Sequence, residues 1–266
     1  MDLLIGTFVL RPYVFGFLAA FLLAGTVDLG VRRTLLFVAW VGPLAWLAEF
    51  SSTRTGIPFG LYHYTETTRG QEMFIANVPF MDCLSFTFLA YAAFCLARVA
   101  LSGRSVPGPL LALVSGVLMM LLDVVIDPLA VRGDRWFLGR IFFYPDGGIY
   151  FGVPLSNFAG WVVVGTLGVG GFIYWSGWRA AGLGRGWPVL GARGSDPPDQ
   201  TARRGRPWPG VALYYVVFGF NLGVTVWIGE WVLLMVGATV HLATALVLWS
   251  VSQRPAEGLG LEKQQA

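Results

Sequence analysis

The stretch Val106–Asp127, VPGPLLALVSGVLMMLLDVVID, decides how the rest of the chain is read. It contains no basic residue and no charge before Asp123. A helix crossing a bilayer needs about 20 apolar residues at ~1.5 Å rise each, and this run is that long. It therefore predicts a membrane-spanning helix. That helix ends in two carboxylates, Asp123 and Asp127, four residues apart and so on one helix face. An acid at bilayer depth costs roughly 2.5–3.5 kcal/mol on insertion scales, so each should face protein or water. Asp127 precedes Pro128, and the helix is expected to stop there, with Asp123 one turn deeper.

The whole composition agrees with this reading. Of 266 residues, 56% are hydrophobic and 12% charged, with mean hydropathy +0.66. Soluble domains carry about 25% charged residues. The net charge of +3 resides in loops, which suits membrane topology and not a nucleic-acid-binding face. Cys83 and Cys95 fall in one predicted helix, roughly 18 Å apart by helical rise, too far to pair. The N-terminus has no basic n-region, and Arg11 interrupts it, which favours a retained first span over a signal peptide.

Seven spans are expected, at roughly 12–30, 34–50, 78–101, 106–127, 156–176, 211–229 and 231–250. The fold class is an all-α polytopic membrane bundle. Six or eight spans stay open, because the last two meet at Gly229-Glu230 and one could be broken. With the N-terminus outside, twelve Lys/Arg fall on inner segments and six on outer ones, which predicts an N-out, C-in protein of a bacterial cytoplasmic membrane. Residues 1–252 form one domain. About 180–210, rich in Gly, Pro and Arg, reads as a flexible cytoplasmic loop, and 253–266 as a disordered tail.

Two outer loops differ from that one. Residues 51–77 and 128–155 are long, aromatic and Gly-punctuated, and loops of that kind more often carry function. They echo each other: GIPFGLY (56–62) matches GIYFGVP (148–154), and VPFMDCLSF (78–86) matches VPLSNFAGW (153–161). Asp82 then corresponds to Asn157, and Phe86 to Trp161. Each Val-Pro should open a span.

Four acids lie at span depth: Glu49, Asp82, Asp123 and Asp127. Each also has a purely structural reading. Asp127 could be a solvated helix end, Asp123 a partner for a neighbouring Arg or Tyr, and Glu49 a partner for Arg54. Asp82 and Asn157 could bond locally at helix starts. His63 reads as a loop residue and His241 as a core hydrogen bonder. Two separated histidines make no metal cluster, and no nucleotide fingerprint follows a strand. Asp-x-x-x-Asp with Arg132, Arg135 and Arg140 nearby keeps a Mg²⁺-dependent membrane prenyltransferase as an alternative. A transporter is the third reading, but its acids should spread over several depths, whereas these cluster at one end.

Acids and tyrosines at one end of an aromatic bundle suit protonation of an alkene. A carboxyl in apolar surroundings can stay protonated near neutral pH. Proton transfer to a trisubstituted double bond gives a tertiary cation, which aromatic faces stabilise by ~0.5–2 kcal/mol each. A second carboxylate then takes a proton from the attacking water.

The segments WLAEFSSTRTGIPFGLYHYT (46–65), LLDVVIDPLA (121–130) and GGIYFGVPLSNFAGW (147–161) resemble the carotenoid 1',2'-hydratases of the CruF type. The resemblance covers about Trp46 to Trp161. It implies cofactor-free hydration of the terminal double bond of an acyclic carotenoid ψ end, with lycopene- or γ-carotene-like substrates and a tertiary alcohol product. Membrane lipid and other carotenoid-pathway enzymes are the expected neighbours. The matching positions include Glu49, Tyr62, Tyr64, Asp123, Asp127, Tyr150, Asn157 and Trp161. Our own assignment makes Asp123 the general acid, Glu49 or Asp127 the water activator, and Tyr62, Asn157 and Asp82 orienting groups. Trp46, Phe59, Tyr64, Trp136, Tyr150 and Trp161 would line the end-group pocket. No metal and no cofactor enters this scheme.

Overall fold

A computed structural model describes residues 2–104, 106–178 and 206–253. The expected cytoplasmic loop, apart from residues 206–210, and the tail beyond residue 253 lie outside the described residues. The protein is an α-helical membrane bundle. Its helices are α1 (Leu3–Leu10), α2 (Pro12–Asp28), α3 (Val31–Thr55), α4 (Phe80–Ala100), α5 (Gly108–Ala130), α6 (Leu155–Ser176), α7 (Trp208–Trp227) and α8 (Trp231–Gln253). The seven expected spans correspond to α2 through α8.

Six of these, α3 to α8, are long and apolar enough to cross a bilayer alone. With 17 residues, α2 rises only about 26 Å, short of a ~30 Å hydrocarbon core. It meets α1 at a 91° bend, and the two qualify as a span only together. Arg11 sits at this bend. It was expected as an outer-loop charge, yet it is 1% exposed. Its guanidinium donates to Glu72 at 3.0 Å and to the Leu138 carbonyl at 2.7 Å. Burial without those partners would be prohibitive, so the pair fixes both long aromatic loops to the α1–α2 junction. The tight connection Ile228–Glu230 leaves α7 and α8 as two unbroken helices, because Gly229 turns the chain at φ 73°.

The bundle has a centre and a rim. In α4, 83% of the apolar window is buried, whereas in α8 only 17% is, so α4 is the core helix and α8 presents most of its surface outward. Helices α2, α3, α5 and α7 pack around α4. The closest approach in the bundle is between α5 and α6. A Cβ on Gly116 would meet Thr166 Oγ1 at 2.4 Å and the Val162 carbonyl at 2.5 Å, so the two backbones touch there. Small residues at membrane helix crossings permit this approach.

Each Val-Pro does open a span: Pro79 caps α4 and Pro154 caps α6. The two long aromatic loops are joined. Strand β1 (His63–Tyr64) of the first pairs antiparallel with β4 (Phe142–Phe143) of the second, in the register His63 to Phe143 and Tyr64 to Phe142. A second small hairpin, β2 (Phe74–Ile75) with β3 (Val78–Pro79), leads into α4. The two α-loop-α units thus meet at their loops as well as their helices.

One helix boundary differs from expectation. Helix α5 does not stop at Asp127 but continues through Pro128 to Ala130. A proline cannot donate to the carbonyl four residues back, which here is Val124. The Tyr150 hydroxyl supplies the missing donor, at 3.2 Å from the Val124 oxygen. Asp127 is therefore held inside the helix, not at a solvated end.

Candidate active site

The acids and the aromatic loops enclose one cavity of about 130 Å³ at the end of the bundle that carries the loops of residues 51–77 and 128–155. For scale, an engineered apolar cavity of roughly 150 Å³ holds benzene. Its polar wall carries Glu49 from α3, Asp82 from α4, Asp127 from α5 and Asn157 from α6. Tyr62, Tyr64 and Tyr144 come from the two loops. The apolar wall includes Phe59, Phe86, Trp136 and Trp161, with Tyr13 and Phe17 of α2 and Phe220 of α7.

On one side, Glu49 accepts hydrogen bonds from the hydroxyls of both Tyr62 and Tyr64. Tyr64 also reaches Asp82 Oδ2 at 2.8 Å. Glu49 does not pair with Arg54, which instead donates to Asn77 at 2.9 Å and lies over the Phe50 ring. Burial, followed by the neighbouring Glu49 carboxyl, pushes the Tyr62 phenol far above its ordinary pKa. For Tyr64 the causes are burial and then Asp82 and Glu49. Both phenols therefore remain hydroxyl donors across the whole neutral and mildly alkaline range.

On the other side, Asn157 Nδ2 donates to Asp123 Oδ2 at 2.7 Å. The α5–α6 contact at Gly116 makes this short reach possible. Asp127 lies beside Asp123, Asn157 and the Trp161 indole. Burial, then Asp127 and Asp123, hold the Tyr144 phenol well above its usual range. Asp123 itself is wholly buried, and its Oδ1 has no hydrogen-bond partner among the described residues.

The equivalent positions of the two loop–helix units come together. Asp82 and Asn157 both face the cavity, and Phe86 stacks on Trp161 at 4.4 Å and 14°. Gly160 lets the first loop reach α6: a Cβ there would meet the Phe59 ring at 2.6 Å and the Pro58 carbonyl at 2.7 Å.

Three assignments change. Asp123, expected as the general acid, does not line the cavity and stands behind Asn157. Trp46 is also off the lining: its indole donates to the Ile75 carbonyl at 3.2 Å and its ring packs on Phe50. Tyr150 is spent on Val124 and packs edge-on to Phe158. The arginines expected to hold a diphosphate in the prenyltransferase alternative are engaged elsewhere. Arg132 and Arg135 both pair with Glu230, and Arg140 lies over Phe143. Among the described residues, no three His, Cys, Asp or Glu side chains converge so as to hold a metal ion. His63 is exposed beside Phe143, and His241 bonds the Gly237 carbonyl and stacks on Phe218.

Several lining residues escaped the sequence reading. Tyr144 sits in the second loop among other aromatics, with nothing local to distinguish it. Tyr13, Phe17, Phe220 and Asn221 come from α2 and α7, which hydropathy describes only as spans. Asn221 carried one usable signal, a polar side chain inside an apolar helix.

Residues 6–244 match the family model described as "Carotenoid biosynthesis protein". The bisanhydrobacterioruberin hydratase of Haloarcula japonica is 31% identical over 183 residues, which is 68% of this chain and 56% of that protein. The chain thus spans little more than half the length of that relative. No solved structure matches. The family match over residues 6–244, on a bundle whose motif-bearing loops build one aromatic, acid-lined cavity, places this chain in the carotenoid biosynthesis protein family.

Proposed function

We propose that the protein is a carotenoid hydratase. It adds water across the terminal 1',2' double bond of an acyclic ψ end group, with lycopene- or γ-carotene-like substrates, and needs no cofactor. The observation that carries this reading is the position of Tyr64 between two carboxyls. A phenol has one proton. It can donate to Glu49 or to Asp82, and the second contact becomes a hydrogen bond only when that carboxyl carries its own proton. The Glu49–Tyr64–Asp82 group is therefore built to store one acidic proton next to an aromatic cavity sized for a branched hydrocarbon end. The named activity of the Haloarcula japonica relative, a hydratase, supports the same chemistry.

In this reading the alkene π pair takes the stored proton at the less substituted carbon. The tertiary cation forms against Phe86, Trp161 and Phe59, whose ring faces stabilise it. A water oxygen adds to the cation, and Asp127 accepts the proton that this water sheds. That proton returns to the Glu49–Asp82 pair after the alcohol leaves. The sum is alkene plus water to tertiary alcohol. Asp123 orients Asn157, so it is a positioning residue.

The protein is taken to lie N-out and C-in in a bacterial cytoplasmic membrane. The cavity then faces the outer leaflet, opposite the arginine-rich inner segments. Co-expression with enzymes that make acyclic carotenes tests the reaction. Pigments should gain one water by mass. Glu49→Gln, Asp82→Asn and Asp127→Asn should each lower the rate about 10²–10⁴-fold, and Asp123→Asn less. Absence of any hydrated pigment with the wild type refutes the hydratase reading, and dependence on an allylic diphosphate and Mg²⁺ would favour prenyl transfer instead.

A further inference from the structure

A second cavity opens beside the first. It is a groove of about 770 Å³ between α2 and α7, and Tyr13, Phe17 and Phe220 line both spaces. Resting on the hydratase reading, we infer that this groove holds the conjugated chain of the substrate and delivers its end past these three rings into the acid-lined cavity.

The groove is built by spacing. Its α2 positions, from Tyr13 through Gly16, Ala20 and Ala24 to Val27, recur every three or four residues and form one helix face. They extend over fourteen residues, a rise of about 21 Å, or some two-thirds of a ~30 Å hydrocarbon core. The floor is made of small side chains, and a Cβ on Gly16 would meet no atom within 4 Å. The rims are apolar and open: Leu23 is 72% exposed and Val216 58%. Apart from the Tyr13 hydroxyl, no lining side chain is polar.

The wall that the two spaces share is aromatic. Tyr13 stacks on Phe220 at 5.3 Å and 18°, and Phe17 meets Phe220 edge-on at 5.6 Å. A straight slot about six times the volume of the end cavity suits a stiff, flat, extended hydrocarbon. A lipid acyl chain would fit the slot but has no use for a wall shared with an acid-lined cavity. The wall of three rings common to both spaces is what selects the polyene. It also accounts for a site whose end pocket alone is far too small for a carotenoid.

The test uses the full chain in nanodiscs of one synthetic phosphatidylcholine, with lycopene as the probe. Wild type should bind it and give induced circular dichroism in its visible bands. Ala20→Trp and Gly16→Phe, which place rings in the groove without filling the end cavity, should weaken that binding roughly tenfold or more. The smaller Ala20→Cys change should fold normally, and lycopene should slow labelling of its thiol by a lipophilic maleimide. Equal binding by the blocked variants, or unprotected labelling, overturns the inference, the latter meaning that lipid alone fills the groove. Hydration is read separately. Binding that the blocked variants lose, without hydration by wild type, refutes the hydratase reading and leaves the groove standing. Equal hydration by wild type and Ala20→Trp refutes the groove and leaves the reaction standing.

Discussion

Replacing Tyr64 by Phe removes one oxygen and nothing else. The ring stays in place against Tyr62 and Phe142, at 5.4 Å and 6.4 Å between centroids, so packing is preserved. What disappears is the link between Glu49 and Asp82, including the 2.8 Å bond to Asp82. A hydrogen bond to a charged group is worth about 1.5–3 kcal/mol. If the stored proton is the one delivered in the rate-limiting step, that loss appears in the barrier as a fall of roughly 10- to 150-fold. Tyr62→Phe makes an informative partner. Tyr62 donates to Glu49, which keeps Tyr64 as a second donor, so its loss should cost clearly less. The assay is single-turnover hydration of an acyclic carotene in nanodiscs, quantified by chromatography and mass, with thermal unfolding run in parallel. A Tyr64→Phe rate equal to wild type, or equal to Tyr62→Phe, with unchanged melting, refutes the proton-storage argument.

Three further outcomes concern the scaffold. Arg11→Ala strands Glu72 as a buried charge and should destabilise the protein by about 3–5 kcal/mol, whereas Arg11→Met with Glu72→Met should recover most of that in chemical unfolding. Gly116→Val drives a side chain into the α6 backbone and should cost about 1–3 kcal/mol or more, with a larger loss of hydration because the Asn157–Asp123 bond shifts, measured by melting and turnover together. Tyr62, Tyr64 and Tyr144 have folded-state pKa values raised above 10, so the stability they lend is complete below pH 10 and is lost as pH rises beyond it. Phenolate absorbance should therefore appear for these three only together with unfolding, and gradual titration in the folded protein would contradict their burial.

The spans and the acids were legible because both follow from composition. Twenty apolar residues cannot be mistaken for a loop, and a carboxylate inside them is conspicuous. The pairing of the two aromatic loops was legible in part, through the echo of GIPFGLY in GIYFGVP. What failed was anything decided by contact across the sequence. Proline rules stop α5 at Asp127, but Tyr150, from the following loop, supplies a donor to the exposed Val124 carbonyl and the helix continues. Counting residues makes Asp123 the deeper acid and so the better candidate, yet depth also puts it behind Asn157 and off the cavity. Arg11 looks like a topology charge until Glu72, 61 residues away, neutralises it. Tyr13 and Phe220 have no motif because their role depends only on α2 lying against α7.

The β1–β4 pairing sets Tyr62, Tyr64, Phe142 and Tyr144 along the loop side of the end pocket. A pocket of about 130 Å³, with room for one tip at a time, has a kinetic consequence for a rod with two reactive tips. One visit can alter one tip only, and the rod must withdraw into the bilayer and return reversed before the other can react. Singly hydroxylated pigment should then accumulate freely before any doubly hydroxylated product, and the ratio of the two should depend on enzyme concentration and on how fast the pigment reorients in the lipid, not on any preference built into the acids themselves.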